Sequence, residues 1–168
     1  MKKIIITGGL GYIGTEICKL YSGVSWNNQI IVIDNRFISE RVNQIRSWNM
    51  EFVHGDILDK ELIDKYCKDA DVVHHLAGIT DVPRTKSESS EEKDKKIQLV
   101  AKEGTQNILD VISDKCKIIF PSTHVVYEGV EKVKNNISEN ESLKPILSYS
   151  SSKAINEKQL KDSGKNYI

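Results

Sequence analysis

Residues 4 to 14 read Ile-Ile-Ile-Thr-Gly-Gly-Leu-Gly-Tyr-Ile-Gly. An apolar β-branched run breaks into glycines and then into a helical pattern, an order that a strand, a tight turn and a helix accommodate together. Gly9-Leu10-Gly11-Tyr12-Ile13-Gly14 fits GxGxxG, follows the run Lys3–Thr7 directly and opens a helix. Glycine permits a tight positive-φ turn and lets backbone N–H groups approach a pyrophosphate. The helix N-terminus adds unpaired donors and a favourable dipole for an anion. Gly14 is expected to let the helix pack closely on the strand.

About twenty residues beyond Gly14, Asp34 ends the run Ile30-Ile31-Val32-Ile33. A carboxylate there accepts hydrogen bonds from the adenosine ribose and repels a 2′-phosphate, which favours NAD over NADP. Arg36 pulls the other way, since arginine can accommodate that phosphate. Strand, turn, helix and Asp34 in register predict a dinucleotide site.

The rest of the chain repeats the alternation. Runs at Lys3–Thr7, Gln29–Asp34, Glu51–His54, Asp71–Leu76 and Lys117–Ser122 read as strands buried on both faces. Helical patterns cover about Gly11–Ser22, Ser39–Asn49, Asp59–Cys67, Glu92–Ser113 and Ser148–Asp162. In the fourth, Ile97, Val100, Ala101, Ile108, Val111 and Ile112 recur at helical spacing. The fold class expected is α/β, a doubly wound parallel sheet with right-handed crossovers. Two long polar connections, 78 to 91 (with Asp81, Pro83 and Arg84) and 128 to 145, leave the carboxyl ends of strands, where open α/β sheets bind ligands. Asn166-Tyr167-Ile168 looks like the start of another strand. A sheet ending there would leave Ile118 to Phe120 on an apolar edge, so a fragment of a longer protein is expected.

A second motif lies far from the glycines. Residues 149 to 153 read Tyr-Ser-Ser-Ser-Lys, which places a phenol and an ammonium one helical turn apart. A phenol of pKa ~10 is a poor base at neutral pH. Lys153 is expected to stabilise the phenolate and lower the pKa of Tyr149. Tyr149 could then take a proton from a hydroxyl while hydride leaves the same carbon for a nicotinamide.

Lysine plus arginine and aspartate plus glutamate both number 24, so nothing suggests nucleic acid or an anionic membrane as partner. Cys18, Cys67 and Cys116 are isolated and odd in number, which reads as reduced thiols of a cytoplasmic protein rather than disulfides or a zinc site. No apolar run is long enough for a membrane span. His54, His74 and His75 read as structural, and their spacing with carboxylates makes no recognisable metal set.

With these residues in place the chain resembles the extended short-chain dehydrogenase/reductase superfamily, most of all its NAD-dependent nucleotide-sugar epimerase/dehydratase branch. Thr7-Gly8-Gly9-Leu10-Gly11-Tyr12-Ile13-Gly14 is similar to the family's TGGxGxIG turn, and Gly55-Asp56-Ile57 to its GDI/GDL segment. His75-Leu76-Ala77-Gly78 resembles its HLAA segment, Pro121 to Tyr127 its SSxxVYG strand end, and Pro145, Tyr149 and Lys153 its PxxxYxxxK pattern. The resemblance covers the whole chain and implies that residues 1–168 are a Rossmann domain, with the substrate-binding domain built from later sequence. It implies NAD held by Gly8, Gly11, Tyr12, Ile13, Asp34, Asn35, Asp56, Ile57, Leu76, Ala77 and Gly78, with Tyr149 and Lys153 also touching it. Thr123, Tyr149 and Lys153 are implied as catalytic, Thr123 holding the substrate oxygen. It further implies a nucleotide-sugar substrate and a homodimer through the helices at Glu92–Ser113 and Ser148–Asp162.

Two departures bear on the chemistry. The family's dehydratases follow the Thr with an Asp-Glu pair, whereas His124 and Val125 stand here. That points away from water loss and towards epimerisation or simple oxidation; His124 is expected to face the cofactor or the core. The family's Asn in NVxGT is replaced by Ala101. The expected activity is a 4-epimerase-like cycle of oxidation to a keto sugar and re-reduction. A dehydratase or reductase of the same superfamily, or a non-catalytic NAD-binding module, remains the alternative.

Overall fold

The computed structural model describes residues 1–80, 90–131 and 135–168. The expected features at Asp81, Pro83 and Arg84 lie outside them.

Six parallel strands form one sheet: β1 (Lys3–Thr7), β2 (Gln29–Asp34), β3 (Glu51–His54), β4 (Val72–His75), β5 (Lys117–Ile119) and β6 (Asn166–Tyr167), in the order β3-β2-β1-β4-β5-β6. The helices are α1 (Tyr12–Tyr21), α2 (Ser39–Ser47), α3 (Lys60–Cys67), α4 (Glu91–Val111) and α5 (Ser148–Asp162). The alternation of β-branched runs with amphipathic stretches thus yields the doubly wound Rossmann architecture.

Strand periodicity assigns each side chain to one of two cores. Ile4, Ile6, Ile30 and Val32 face Cys18 of α1 and Val42 and Ile45 of α2. Ile5, Ile31, Ile33, Val73 and Ile118 face Ile63 and Cys67 of α3, Ile108 and Leu109 of α4 and Leu160 of α5. All three cysteines are unpaired and buried within these layers. The order in which strands are added reverses between β1 and β4, the position at which open α/β sheets bind ligands beyond the strands' carboxyl ends.

Three expectations need correction. β3 is an edge strand: Glu51 and His54 are exposed, Phe52 and Val53 half-buried, because nothing pairs beyond it among the described residues. β5 stops at Ile119, since Pro121 has no N–H to continue a ladder and the backbone turns into a 3-10 segment at His124–Tyr127. Ile118 and Phe120 are not left on an open edge. The strand seen at 166 covers them: Ile168 N–H donates to Ile118 O and Phe120 N–H to Ile168 O, both at 2.9 Å.

Candidate active site

The nucleotide turn is built around Gly8, which takes φ +68°. The left-handed residue is therefore Gly8 and not a glycine of GxGxxG; Gly11 is extended, with φ −73° and ψ 173°. A Cβ on Gly8 would lie 2.7 Å from Ala77 N, so the turn abuts the end of β4. A Cβ on Gly14 would lie 2.6 Å from both Gly8 O and Gly9 Cα. Gly14 thus lets α1 close on the turn itself rather than on the strand. Gly11 caps α1 without a side-chain acceptor, so the first-turn N–H groups face outward unclaimed by a cap. Tyr12 and Ile13 are exposed on that turn.

Asp34 closes the far side. Its Oδ2 accepts from Leu10 N–H at 2.9 Å, which fixes the turn. Its Oδ1 accepts from the Arg36 N–H at 3.0 Å and from Arg36 Nε at 3.2 Å. The guanidinium that seemed to blur the NAD preference is thus paired with the carboxylate. Asn35 Nδ2 donates to Asp56 Oδ2 at 2.9 Å, and His54 Nε2 lies 2.9 Å from Asn35 O, so the β2 and β3 ends form one polar rim. Ile57 points into the core against Gly104, which leaves only its backbone near the rim. Leu76 N–H donates to Thr7 O and Ala77 N–H to Thr7 Oγ1, both at 3.2 Å, holding Leu76–Gly78 beside the turn. Sequence reasoning missed Arg41, whose Nη1 donates to Leu10 O from α2; no local pattern links those positions.

The second half of the site sits at the end of β5. Lys153 Nζ donates to Pro121 O at 3.0 Å and lies 4.4 Å from the centre of the Phe120 ring and 5.9 Å from that of Tyr149. Thr123, two residues past Pro121, caps the 3-10 segment by accepting from Val125 N–H at 3.4 Å. His124 is exposed and faces neither core. Burial pushes Lys153 down to about 8, with Glu157 opposing. Burial also raises Tyr149. That is the reverse of the expected lowering: the ammonium is turned to Pro121 and Phe120, so desolvation governs the phenol.

The start of α5 is held by Glu128, a residue the sequence did not single out. Its Oε1 accepts from Ile146 N–H and Leu147 N–H, both at 2.7 Å, and from the Ser150 hydroxyl. These contacts hold its carboxyl below the usual range although its own burial works the other way. Ser150 and Ser152, poor helix formers, are buried here, and Ser152 Oγ donates to Tyr149 O at 2.6 Å. Gly129 N–H donates to Lys144 O and Lys144 N–H to Val126 O, both at 2.8 Å, which ties Lys144 to the 3-10 segment and the residues just after it.

Among the histidines, His54 is exposed, His74 pairs with Tyr21 Oη at 2.9 Å, and His75 is fully enclosed. Among the described residues no group of three or more His, Cys, Asp or Glu is gathered as a metal would need, and no helix is long and apolar enough to cross a membrane.

The geometry agrees with comparisons to known proteins. CDP-paratose 2-epimerase of Salmonella typhi is 34% identical over 148 residues, 82% of this chain and 41% of its own length. The dTDP-D-glucose 4,6-dehydratase of Dictyostelium discoideum is 30% identical over 171 residues, 92% of this chain and 38% of its own. The crystal structure of UDP-glucose 4-epimerase from Brucella ovis in complex with NAD superposes with a TM-score of 0.78 at 29% identity, covering 99% of this chain and 50% of that one. The chain thus spans half or less of the length of these relatives. The model of the 3-beta hydroxysteroid dehydrogenase/isomerase family matches residues 5–168. This match, with the glycine turn, Asp34 and the Tyr-x-x-x-Lys helix in place, establishes that the chain belongs to the 3-beta hydroxysteroid dehydrogenase/isomerase family, within the short-chain dehydrogenase/reductase superfamily.

Proposed function

We propose that residues 1–168 are the dinucleotide-binding part of an NAD-dependent nucleotide-sugar epimerase of the 4-epimerase kind. The observation that carries this reading is a glycine turn with Asp34 and a Tyr149/Lys153 helix at the carboxyl edge of one parallel sheet. The cradle suits a dinucleotide. Backbone contacts at Gly8 and Gly14 leave no room for a side chain, the first turn of α1 has no side-chain cap, and Asp34 stands at the ribose end. NAD bound there supplies a reversible acceptor for hydride.

Gly8, Gly11, Tyr12 and Ile13 would hold the diphosphate, Asp34 and Asn35 the adenosine ribose, Asp56 and the Ile57 backbone the adenine, and Leu76, Ala77 and Gly78 the central wall. Tyr149 takes the proton from a sugar hydroxyl and returns it; Thr123 holds that oxygen. Lys153, with its pKa near 8, carries its charge at neutral pH and stands one helical turn from the phenol. His124 and Val125 supply no carboxylate pair after Thr123, which favours epimerisation over water loss.

The outer face of α4 and the start of α5 leave Leu99 and Ile146 about half exposed beside an open groove of about 780 Å³ that Ile155 also lines. This supports a homodimer through that face. Three unpaired thiols fit a reducing compartment, the cytoplasm. The test is Tyr149→Phe in the intact enzyme, assayed with UDP-, dTDP- and GDP-sugars. Turnover is expected to fall about 10²–10⁴-fold; unchanged turnover refutes the assignment.

A further inference from the structure

An unbroken chain of buried polar side chains runs from the helix of Tyr149 to the nucleotide turn. Asn156, 4% exposed, stands three residues beyond Lys153 on α5. Its Nδ2 donates to the Ala101 carbonyl and the Thr105 hydroxyl of α4, both at 2.8 Å. Thr105 Oγ1 lies 2.9 Å from His75 Nε2, and His75 Nδ1 lies 3.0 Å from Thr7 Oγ1. Thr7 Oγ1 accepts from Ala77 N–H. Asn156 and Ala77 both donate inward, so a neutral imidazole that donates to one threonine and accepts from the other completes the chain in either tautomer. Burial, with the nearby Lys153 charge, pushes His75 down to about 3, which keeps it neutral.

A satisfied polar network in the space between α4, α5 and β4 holds those elements in one arrangement. One amide grips two acceptors a helical turn apart on α4, which fixes both the height and the rotation of α5. The same His75 ring lies 5.8 Å from the Phe120 ring, and Lys153 Nζ sits over Phe120. The relay therefore touches the seat of Lys153 as well as the residue preceding Gly8.

We propose that Asn156 is a positioning residue, which sets Tyr149 and Lys153 in register with the nucleotide turn through Thr105, His75 and Thr7. The proposal rests on Tyr149 being the base. It is tested in the intact enzyme with Asn156→Leu, Thr105→Val and Thr105→Ser. Asn156→Leu and Thr105→Val are expected to lower kcat at least about tenfold while KM for the nucleotide sugar and NAD affinity stay within about threefold, as for misplaced rather than missing groups. Thr105→Ser, which keeps the hydroxyl, should restore the rate. The double variant should lose less than the product of the single losses, because both act through one relay. If Asn156→Leu does not fold, the Thr105→Val and Thr105→Ser pair gives the same reading.

A kcat within about threefold of wild type in both single variants, or a loss matched by an equal loss of NAD affinity, overturns the proposal. Tyr149→Phe run alongside separates the two ideas. If it is inactive while Asn156→Leu is unimpaired, only the positioning role falls. If it keeps full activity, the base assignment falls and the positioning role with it.

Discussion

Gly8 and Gly164 offer an internal comparison, because both adopt left-handed backbone, φ +68° and +67°, in different surroundings. A Cβ on Gly164 meets nothing within 4 Å. Gly164→Ala should therefore cost only the conformational penalty, about 1–2 kcal/mol. A Cβ on Gly8 would lie 2.7 Å from Ala77 N and 2.8 Å from Ala77 Cα and Leu76 C. These are backbone atoms at the end of a central strand and cannot rotate aside. Forcing them apart adds about 1–3 kcal/mol, so Gly8→Ala should lose about 2–5 kcal/mol in all. Urea unfolding followed by far-UV circular dichroism reads both losses, and NAD titration reads the turn. Gly164→Ala should bind NAD like wild type, whereas Gly8→Ala should bind at least about tenfold more weakly, because the diphosphate donors move with the turn. Equal urea midpoints for the two variants would refute the claim that the β1–β4 junction confines residue 8.

Lys153 is lowered from the ordinary 10.5 to about 8, so between those values the unfolded chain holds more protons than the folded one. Lys153 should contribute a rise in stability with pH across that window on the order of 3 kcal/mol, opposed above pH 9 by the buried thiols, whose pKa values are raised, so the rise is read as the difference in unfolding free energy between wild type and Lys153→Met. Arg36→Ala opens the Asp34 carboxylate to a ribose; because a half-exposed guanidinium here pairs with a buried carboxylate, the loss should cost about 1–3 kcal/mol, while the preference for NAD over NADP, measured by titration with each, increases. Glu128→Ala strips the acceptor from the start of α5 and should cost about 1–2 kcal/mol in urea unfolding, with Glu128→Gln retaining most of it.

The central layer was legible because its side chains obey one local rule. Lys3–Thr7, Gln29–Asp34 and Glu51–His54 match the expected strands residue for residue; in the first two, runs of isoleucine and valine suit a buried pleated sheet. The spacing of Gly11, Gly14 and Asp34 likewise matches their gathering at one turn. Features set by distant chain were not legible. The burial of β3 depends on which strand pairs beyond it. The left-handed role of Gly8 depends on the approach of Ala77. The end of the run Lys117–Ser122 depends on the turn that follows, where Thr123 caps a 3-10 segment. Glu128 acts on a helix that begins twenty residues later, and Asn156 reaches across to another helix, so no spacing rule announces either. The Tyr149/Lys153 spacing did not reveal the electrostatic outcome, because solvent removal outweighs a cation that is directed at Pro121.

The sheet order has a consequence for biosynthesis. β1 lies between β2 and β4, so the residues proposed to hold the diphosphate, ribose and adenine all lie between Thr7 and Gly78. Chains emerge from the ribosome amino end first and fold as they emerge. That segment is therefore exposed well before α5 has been translated. A nascent chain that folds as it emerges would pair β1 with β2 and β4 before β5 and α5, and with them the phenol of Tyr149, are made.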